Sequence, residues 1–235
     1  MSFTSISKLV SLGFLLFSLV TFGKAQQLDE IFDDRDSSYY QIVKIGNAWW
    51  MAENLAYLPE VHPLFTAKGF YVYDYYGYNV DSAKASEEYI KYGCLYSWEN
   101  AMKACPQGWH LSNDLEWQDM ERHLGMADFE LDSLNWRKSG GVDKKLMSTD
   151  GWGDNNGNNQ SGFSALPGGL SFSKPNLKDT IFGLIGESAN FWTSTKEKDS
   201  SAFARGFYVK SSGVGRGPMD TYNGFSVRCI KNKLK

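Results

Sequence analysis

Residues 104–117 read ACPQGWHLSNDLEW. How this stretch is taken decides the fold. Cys105 and His110 have the chemistry of a nucleophile and its base, but a nucleophilic thiol must be free, and its base must be held by a third group. The same stretch also reads as scaffolding. Cys105-Pro106 ends the helical run WENAMKA (98–104), because a residue before proline is pushed out of the helical region. Trp109–Leu111 then has the look of a short strand entering a helix. Asn113 can accept from a free backbone N–H at the helix start while Glu116 reaches back, which is the capping-box pattern. The predicted helix carries Leu115, Trp117, Met120 and Leu124, and Gly125 suits its end. His110, between Trp109 and Leu111, is read as a packed, hydrogen-bonded residue rather than a base.

Working outward, YYQIVKIG (39–46) alternates, with Ile42 and Lys44 on one face and Val43 and Ile45 on the other. Gly46-Asn47 before AWWM predicts a tight hairpin. Residues 26–38 (QQLDEIFDDRDSS) read as an exposed acidic lead-in, and the domain is expected over 39–235. FYVYDYYGYN (70–79) is aromatic and strand-prone. DSAKASEEYIKYG (81–93) is polar, helical in part or loop, and a third helical piece is expected near 137–148. Beyond the Gly/Asn-rich GWGDNNGNNQSGF (151–163), the runs GFSALPGG, NFWTST, AFARGFYV and GFSVRCI have strand length. Strands at both ends with helices between predict one α+β domain, built from an N-terminal hairpin, central helices and C-terminal antiparallel strands.

The first 25 residues predict export. One lysine precedes LVSLGFLLFSLVTFG, an apolar run of about fifteen residues that suits a signal-peptide core and is short for a membrane span. Small residues at Gly23 and Ala25 place cleavage near Ala25–Gln26; an uncleaved anchor helix is the other reading. No cysteine precedes Cys94, so a lipoprotein is not expected. No later run is apolar for long enough to span a bilayer. The expected destinations are the periplasm, the cell surface or the medium. Losing Lys8 and Lys24 with the leader takes the formal charge from −3 to −5, which argues against nucleic acid as a partner. Three cysteines, Cys94, Cys105 and Cys229, in an oxidising compartment predict one disulfide and one odd thiol. Their spacing does not choose the pair.

Five segments occur in order: IGNAWWMAENL (45–55), YGCLYSWENAMKACPQGWHLSNDLEW (92–117), GWGDNNGNNQSGFSALPGG (151–169), FWTST (191–195) and FSVRC (225–229). Together they resemble the Fibrobacter succinogenes major paralogous domain, a family of exported bacterial proteins, from about Tyr39 to Lys231. GWHLSNDLEW with the late FSVRC is also similar to the G-[FW]-x-L-P-[ST]-x-x-E-W and final R-C pattern of formylglycine-generating enzymes. Ser112 here replaces the usual proline and Asn113 the usual Ser/Thr cap. This second resemblance implies a C-type lectin-like fold and a Cys105–Cys229 bridge, with Cys94 left odd.

The enzyme reading of that resemblance meets obstacles in the chain. A copper site of the formylglycine-generating type needs two thiols, and the implied bridge takes two of three. His62, His110 and His123 lack metal-ligand spacing, and His62 and His123 are expected at the surface. Glu87-Glu88 reads as a solvated face. There is no GxSxG, P-loop or HExxH. No catalytic residue is therefore expected. The candidate cation loop is Asp150, Asp154, Asn155, Asn156 and Asn158, where calcium would find oxygen ligands; the plain alternative is a Gly/Asn turn pinned to the core by Trp152. The candidate ligand platform is Tyr71, Tyr73, Tyr75, Tyr76 and Tyr78, able to stack on sugar rings or equally to fill a core. The expected function is a non-enzymatic module that binds an extracellular glycan or protein. An oxidoreductase of the formylglycine-generating type and a purely structural envelope protein are the alternatives.

Overall fold

A computed structural model describes residues 26–63, 68–172 and 181–233. The expected leader, residues 1–25, lies outside the described residues. The chain opens with three antiparallel strands, β1 (Leu28–Asp33), β2 (Ser38–Ile45) and β3 (Ala48–Met51). Strand β4 (Phe70–Tyr71) leads to the short helices α1 (Val80–Lys84) and α2 (Glu87–Tyr92), then to β5 (Leu95–Tyr96), its antiparallel partner. Helix α3 (Trp98–Ala104), strand β6 (Trp109–Leu111) and helix α4 (Asp114–His123) follow. Next come β7 (Asn135–Arg137), α5 (Val142–Leu146), β8 (Gly168–Phe172) and β9 (Ile181–Ile185). The chain ends in β10 (Ser188–Lys198), β11 (Ser201–Tyr208), β12 (Val214–Asp220) and β13 (Cys229–Lys231).

Two larger sheets dominate this α+β architecture. One runs β1-β2-β3-β13-β6 and the other β7-β12-β11-β10-β8-β9. The last strand thus returns to the first sheet, where Ile230 sits between Trp50 on β3 and His110 on β6. The first sheet is covered on both faces, which is why Ile42 and its neighbour Val43 are both buried. On the α4 side, Trp50, Trp117, Phe163 and Phe191 pack ring to ring with centroids 5.4 to 6.0 Å apart. Such contacts add to the large apolar area these rings remove from water. On the other side lie Tyr40, Ile42, Met51, Leu55 and Trp192.

Two local devices fix the path. The Asn113 side chain accepts from the Glu116 N–H at 2.9 Å, and Glu116 Oε2 accepts from the Asn113 N–H at 2.8 Å. Removing such a cap costs about 1 kcal/mol. Cys105, just after α3, is bonded to Cys229 at the start of β13 with the Cα atoms 5.8 Å apart. The bridge closes a sequence separation of 124, which on a chain-entropy account disfavours the unfolded state by about 5 kcal/mol.

Two sites of buried charge brace the core. Glu121 on α4 accepts from Arg137 at 2.6 and 2.7 Å and from Arg205 at 2.8 Å. Asp114 accepts from Arg205 at 2.7 Å and from Arg216 at 2.8 Å. Burial alone would raise the Asp114 carboxyl, but Arg216 and Arg205 outweigh it and hold its pKa at about 2. Arg228 is fully buried and is met by neutral oxygens instead. It donates to Asn54 Oδ1 at 2.9 Å, to Met51 O at 3.1 Å, to Ser164 O at 2.9 Å and to Phe163 O, with its cation over the Phe163 ring. Burial lowers the Arg228 pKa to about 9, so it stays charged at neutral pH.

Several elements differ from expectation. Residues 28–33 are not a free lead-in but an edge strand: backbone pairing to β2 forms it despite the polar side chains on its outer face. The 70–79 stretch is strand only at Phe70–Tyr71, and Asp74 at φ 58 turns the chain. Leu115 is 69% exposed. The inward face of α4 instead carries Asp114, Gln118 and Glu121 beside Trp117 and Met120, because Arg137, Arg205 and Arg216 supply the partners that let carboxylates be buried. The helix expected over 137–148 shrinks to Val142–Leu146, since Arg137 belongs to β7 and Gly140 and Gly141 take left-handed φ of 70 and 58. The late strands are not uniformly antiparallel: β8 and β10 pair in parallel through Gly169 and Ala189.

Candidate functional site

The β2–β3 turn, α4 and the end of β13 enclose a groove of about 720 Å³. Its lining mixes apolar and charged groups. Ala48 is its half-buried apolar wall and the buried Met120 and Ile230 lie beneath it; Asn47, Glu116, Asp119, Arg122, His123, Lys231, Asn232 and Lys233 supply the polar part. That volume lies within the range of small-ligand sites, which pair an apolar lining with a few placed polar groups. Gly46 makes the turn possible twice over. It holds φ at +60, and a Cβ there would approach the His123 ring to 3.3 Å, so glycine alone lets the turn close on α4.

His110 fastens two walls of the groove together. Its Nε2 lies 3.0 and 3.1 Å from the two carboxylate oxygens of Glu116, at the start of α4. Its Nδ1 lies 2.6 Å from Asn232 Oδ1, just beyond β13. Both ring nitrogens face acceptors, an arrangement that the imidazolium serves in full. The Glu116 hydrogen bond accordingly raises the His110 pKa against a smaller opposing effect of burial. For Glu116, burial pushes upward, but His110 and the Asn113 N–H bring its pKa below the ordinary value. His110 thus bridges a helix cap to the C-terminal segment. Cys105, the nucleophile that the sequence offers beside it, is held in the disulfide.

The tyrosines expected as one platform divide. Tyr71 is fully buried, with its phenol pKa raised by burial. Tyr73 packs on Phe182 with centroids 5.0 Å apart, and Tyr75 donates to Asn79 O at 2.9 Å. Only Tyr76 and Tyr78 face outward, at 56% and 78% exposure, and the Tyr76 ring meets the edge of Phe182. Strand alternation would put Tyr71, Tyr73 and Tyr75 on one face and Tyr76 and Tyr78 on the other, and the turn at Asp74, φ 58, breaks even that pattern.

The 150–161 loop leaves Asp150, Asp154, Asn155, Asn156 and Asn158 exposed, while Trp152 is buried and donates to Ser148 Oγ and Ala165 O, both at 3.0 Å. The side chains of Asn156 and Asn158 accept from the Trp152 and Gln160 N–H groups. The Lys144 ammonium donates to the carbonyls of Asn155 and Asn156 at 2.7 and 3.2 Å. Several of the oxygens a cation would use therefore already have partners within the chain. Among the described residues, no group of three or more His, Cys, Asp and Glu is placed to hold a metal ion.

Cys94 is buried, its Sγ 3.5 Å from Ala56 O, and burial pushes its pKa up to about 12. His123 is exposed as expected. His62 is only half so, because its Nδ1 accepts from the Phe70 N–H at 3.3 Å. The groove itself was not foreseen. Its walls come from residues 45–50, 116–123 and 230–233, and the only local sign of it was the basic tail, Lys231 and Lys233, after a strand-like run. Among the described residues, no helix is long and apolar enough to cross a membrane. No curated protein and no solved structure matches the chain. The model of the Fibrobacter succinogenes major domain matches residues 43–231, and the chain belongs to that family.

Proposed function

We propose that this protein is an exported, non-enzymatic binding domain of C-type lectin-like type that acts at the surface, in the periplasm or in the medium. Its ligand, a glycan, seats in the groove between the β2–β3 turn, α4 and the end of β13. The observation that carries this reading is the 720 Å³ groove, lined by Ala48 over the buried Met120 and Ile230 and by the amides of Asn47 and Asn232. Sugars offer an apolar ring face and a dense set of hydroxyls, and that lining has groups for both. Cysteine chemistry weighs against the oxidoreductase alternative. Cys105 and Cys229 are bonded to each other and Cys94 is buried, so no pair of thiols remains for a copper site or a redox cycle.

The test is a broad glycan array probed with the exported protein, in calcium and in chelator, beside an Ala48→Trp variant that fills the groove. Selective binding lost in Ala48→Trp is the expected result. Binding that Ala48→Trp leaves untouched would move the site elsewhere, first to Tyr76 and Tyr78. No binding to any glycan would favour a structural envelope role.

A further inference from the structure

We propose that β1 is a docking edge, where an extended basic segment of a partner protein adds as a further strand of the first sheet. Of the two larger sheets, the first ends at β1 and β6 and the second at β7 and β9. Strands β6 and β7 are three residues long, and β9 is five residues interrupted by Leu184 at φ 62. β1 runs six residues in unbroken register with β2. The Lys44 N–H donates to Gln27 O at 3.1 Å, which sets the phase of that ladder. Every second residue from Gln27 turns its backbone groups to β2, and Leu28, Glu30 and Phe32 turn theirs to the open edge. Such a row of backbone groups is a template for another strand.

The side chains define which strand fits. Leu28, Phe32 and Tyr39 share one face of the sheet, and each is more than half exposed. The Phe32 and Tyr39 rings pair with centroids 4.9 Å apart, so the edge carries apolar anchors. Around them are acids. Asp29, Glu30 and Asp34 are exposed, and among the described residues none of the three is in an ion pair; Lys44 on β2 does not reach them. Arg35 is already held by Asp33 at 2.6 Å. These acids act in two directions. Pairing with a second copy of β1 would bring acid beside acid, which is unfavourable, whereas a cationic strand is attracted. Asp29 Oδ1 accepts from the Glu30 N–H at 2.9 Å, so one outward donor is capped within the free chain. A partner carbonyl that takes its place releases that carboxylate for a lysine or arginine. The complement of this edge is a strand with basic residues opposite Asp29 and Glu30 and apolar residues opposite Leu28 and Phe32.

The probe is an end-capped peptide with two adjacent lysines flanked by isoleucine and valine, titrated into the exported protein and followed through backbone amide resonances. One control peptide carries glutamates in place of the lysines. The other is N-methylated at alternate residues and cannot complete the ladder. Glu30→Pro removes an outward N–H that β2 does not use, a change that edge strands tolerate. Asp29→Lys/Glu30→Lys reverses the charge and leaves the backbone whole, and it decides alone if circular dichroism shows Glu30→Pro unfolded. The expected result is shifted resonances at Leu28, Glu30 and Phe32, with the basic peptide bound at least tenfold tighter than either control. That binding should weaken in added salt and be lost in both variants. Equal binding of the acidic peptide, binding that survives in Asp29→Lys/Glu30→Lys, shifts confined to residues away from β1, or no binding at all overturns the proposal. Self-association in sedimentation that Glu30→Pro removes also overturns it, since the edge would then serve a second copy of the chain.

Discussion

His110 Nε2 sits 3.0 Å from Glu116 Oε1, joining the middle of β6 to the first turn of α4 across six residues of sequence. Because Glu116 raises the His110 pKa, the pair is complete while the imidazole is charged. Its contribution is present below the ordinary histidine pKa and is lost as pH rises through the raised folded value. The ring proton resonances of His110 should titrate above the ordinary value of 6.5. Glu116→Gln should bring that midpoint down, whereas an unchanged midpoint would mean the contact is not made in solution.

Asp114 predicts acid behaviour of the opposite sign. Its carboxyl drops from 3.8 in a free chain to about 2 when folded, so its stabilisation is whole above the free value and fades as pH falls through the folded one. The shift is worth about 2 kcal/mol. Urea midpoints measured between pH 5 and 2 should fall for the native chain. Asp114→Asn should be less stable at neutral pH, by about 3 kcal/mol because buried arginines lose their partner, and should show a flatter acid limb. Equal acid limbs would remove Asp114 from the account.

The cysteines make a counting prediction. A thiol reagent should find no fast-reacting group in the native protein and one in denaturant, since Cys94 is buried with its pKa raised to about 12 and the other two are bonded. Three thiols in denaturant would mean that Cys105 and Cys229 are reduced.

For the 150–161 loop, the Lys144 contacts to Asn155 O and Asn156 O predict a thermal midpoint that neither calcium nor chelator moves. Lys144→Met should lower the midpoint by a few degrees, the effect of about 1 kcal/mol. A midpoint that climbs with calcium would show the loop taking an ion despite the lysine.

Much of the scaffold was legible because its signals are local. Asn113 and Glu116 announce a helix start by side chains three residues apart, and Gly46-Asn47 announces a turn by its dihedral demands. The inward polar stripe of α4 was not legible. Asp114, Gln118 and Glu121 read as surface until Arg137, Arg205 and Arg216, which lie far along the chain, arrive to neutralise them. The same limit hid β1, whose side chains say loop while its backbone pairs with β2. It hid the groove too, since no window of sequence contains the β2–β3 turn, α4 and Lys233 together.

The placement of β13 has a consequence for biosynthesis. Ile230 lies between Trp50 and His110 in the middle of the first sheet, so β3 and β6 each lack a neighbour until residue 230 has been made. A nascent chain that stops short of β13 cannot close this sheet, and pairing over so long a separation is slow even afterwards. The first sheet therefore stays open while everything between β6 and β13 is synthesised.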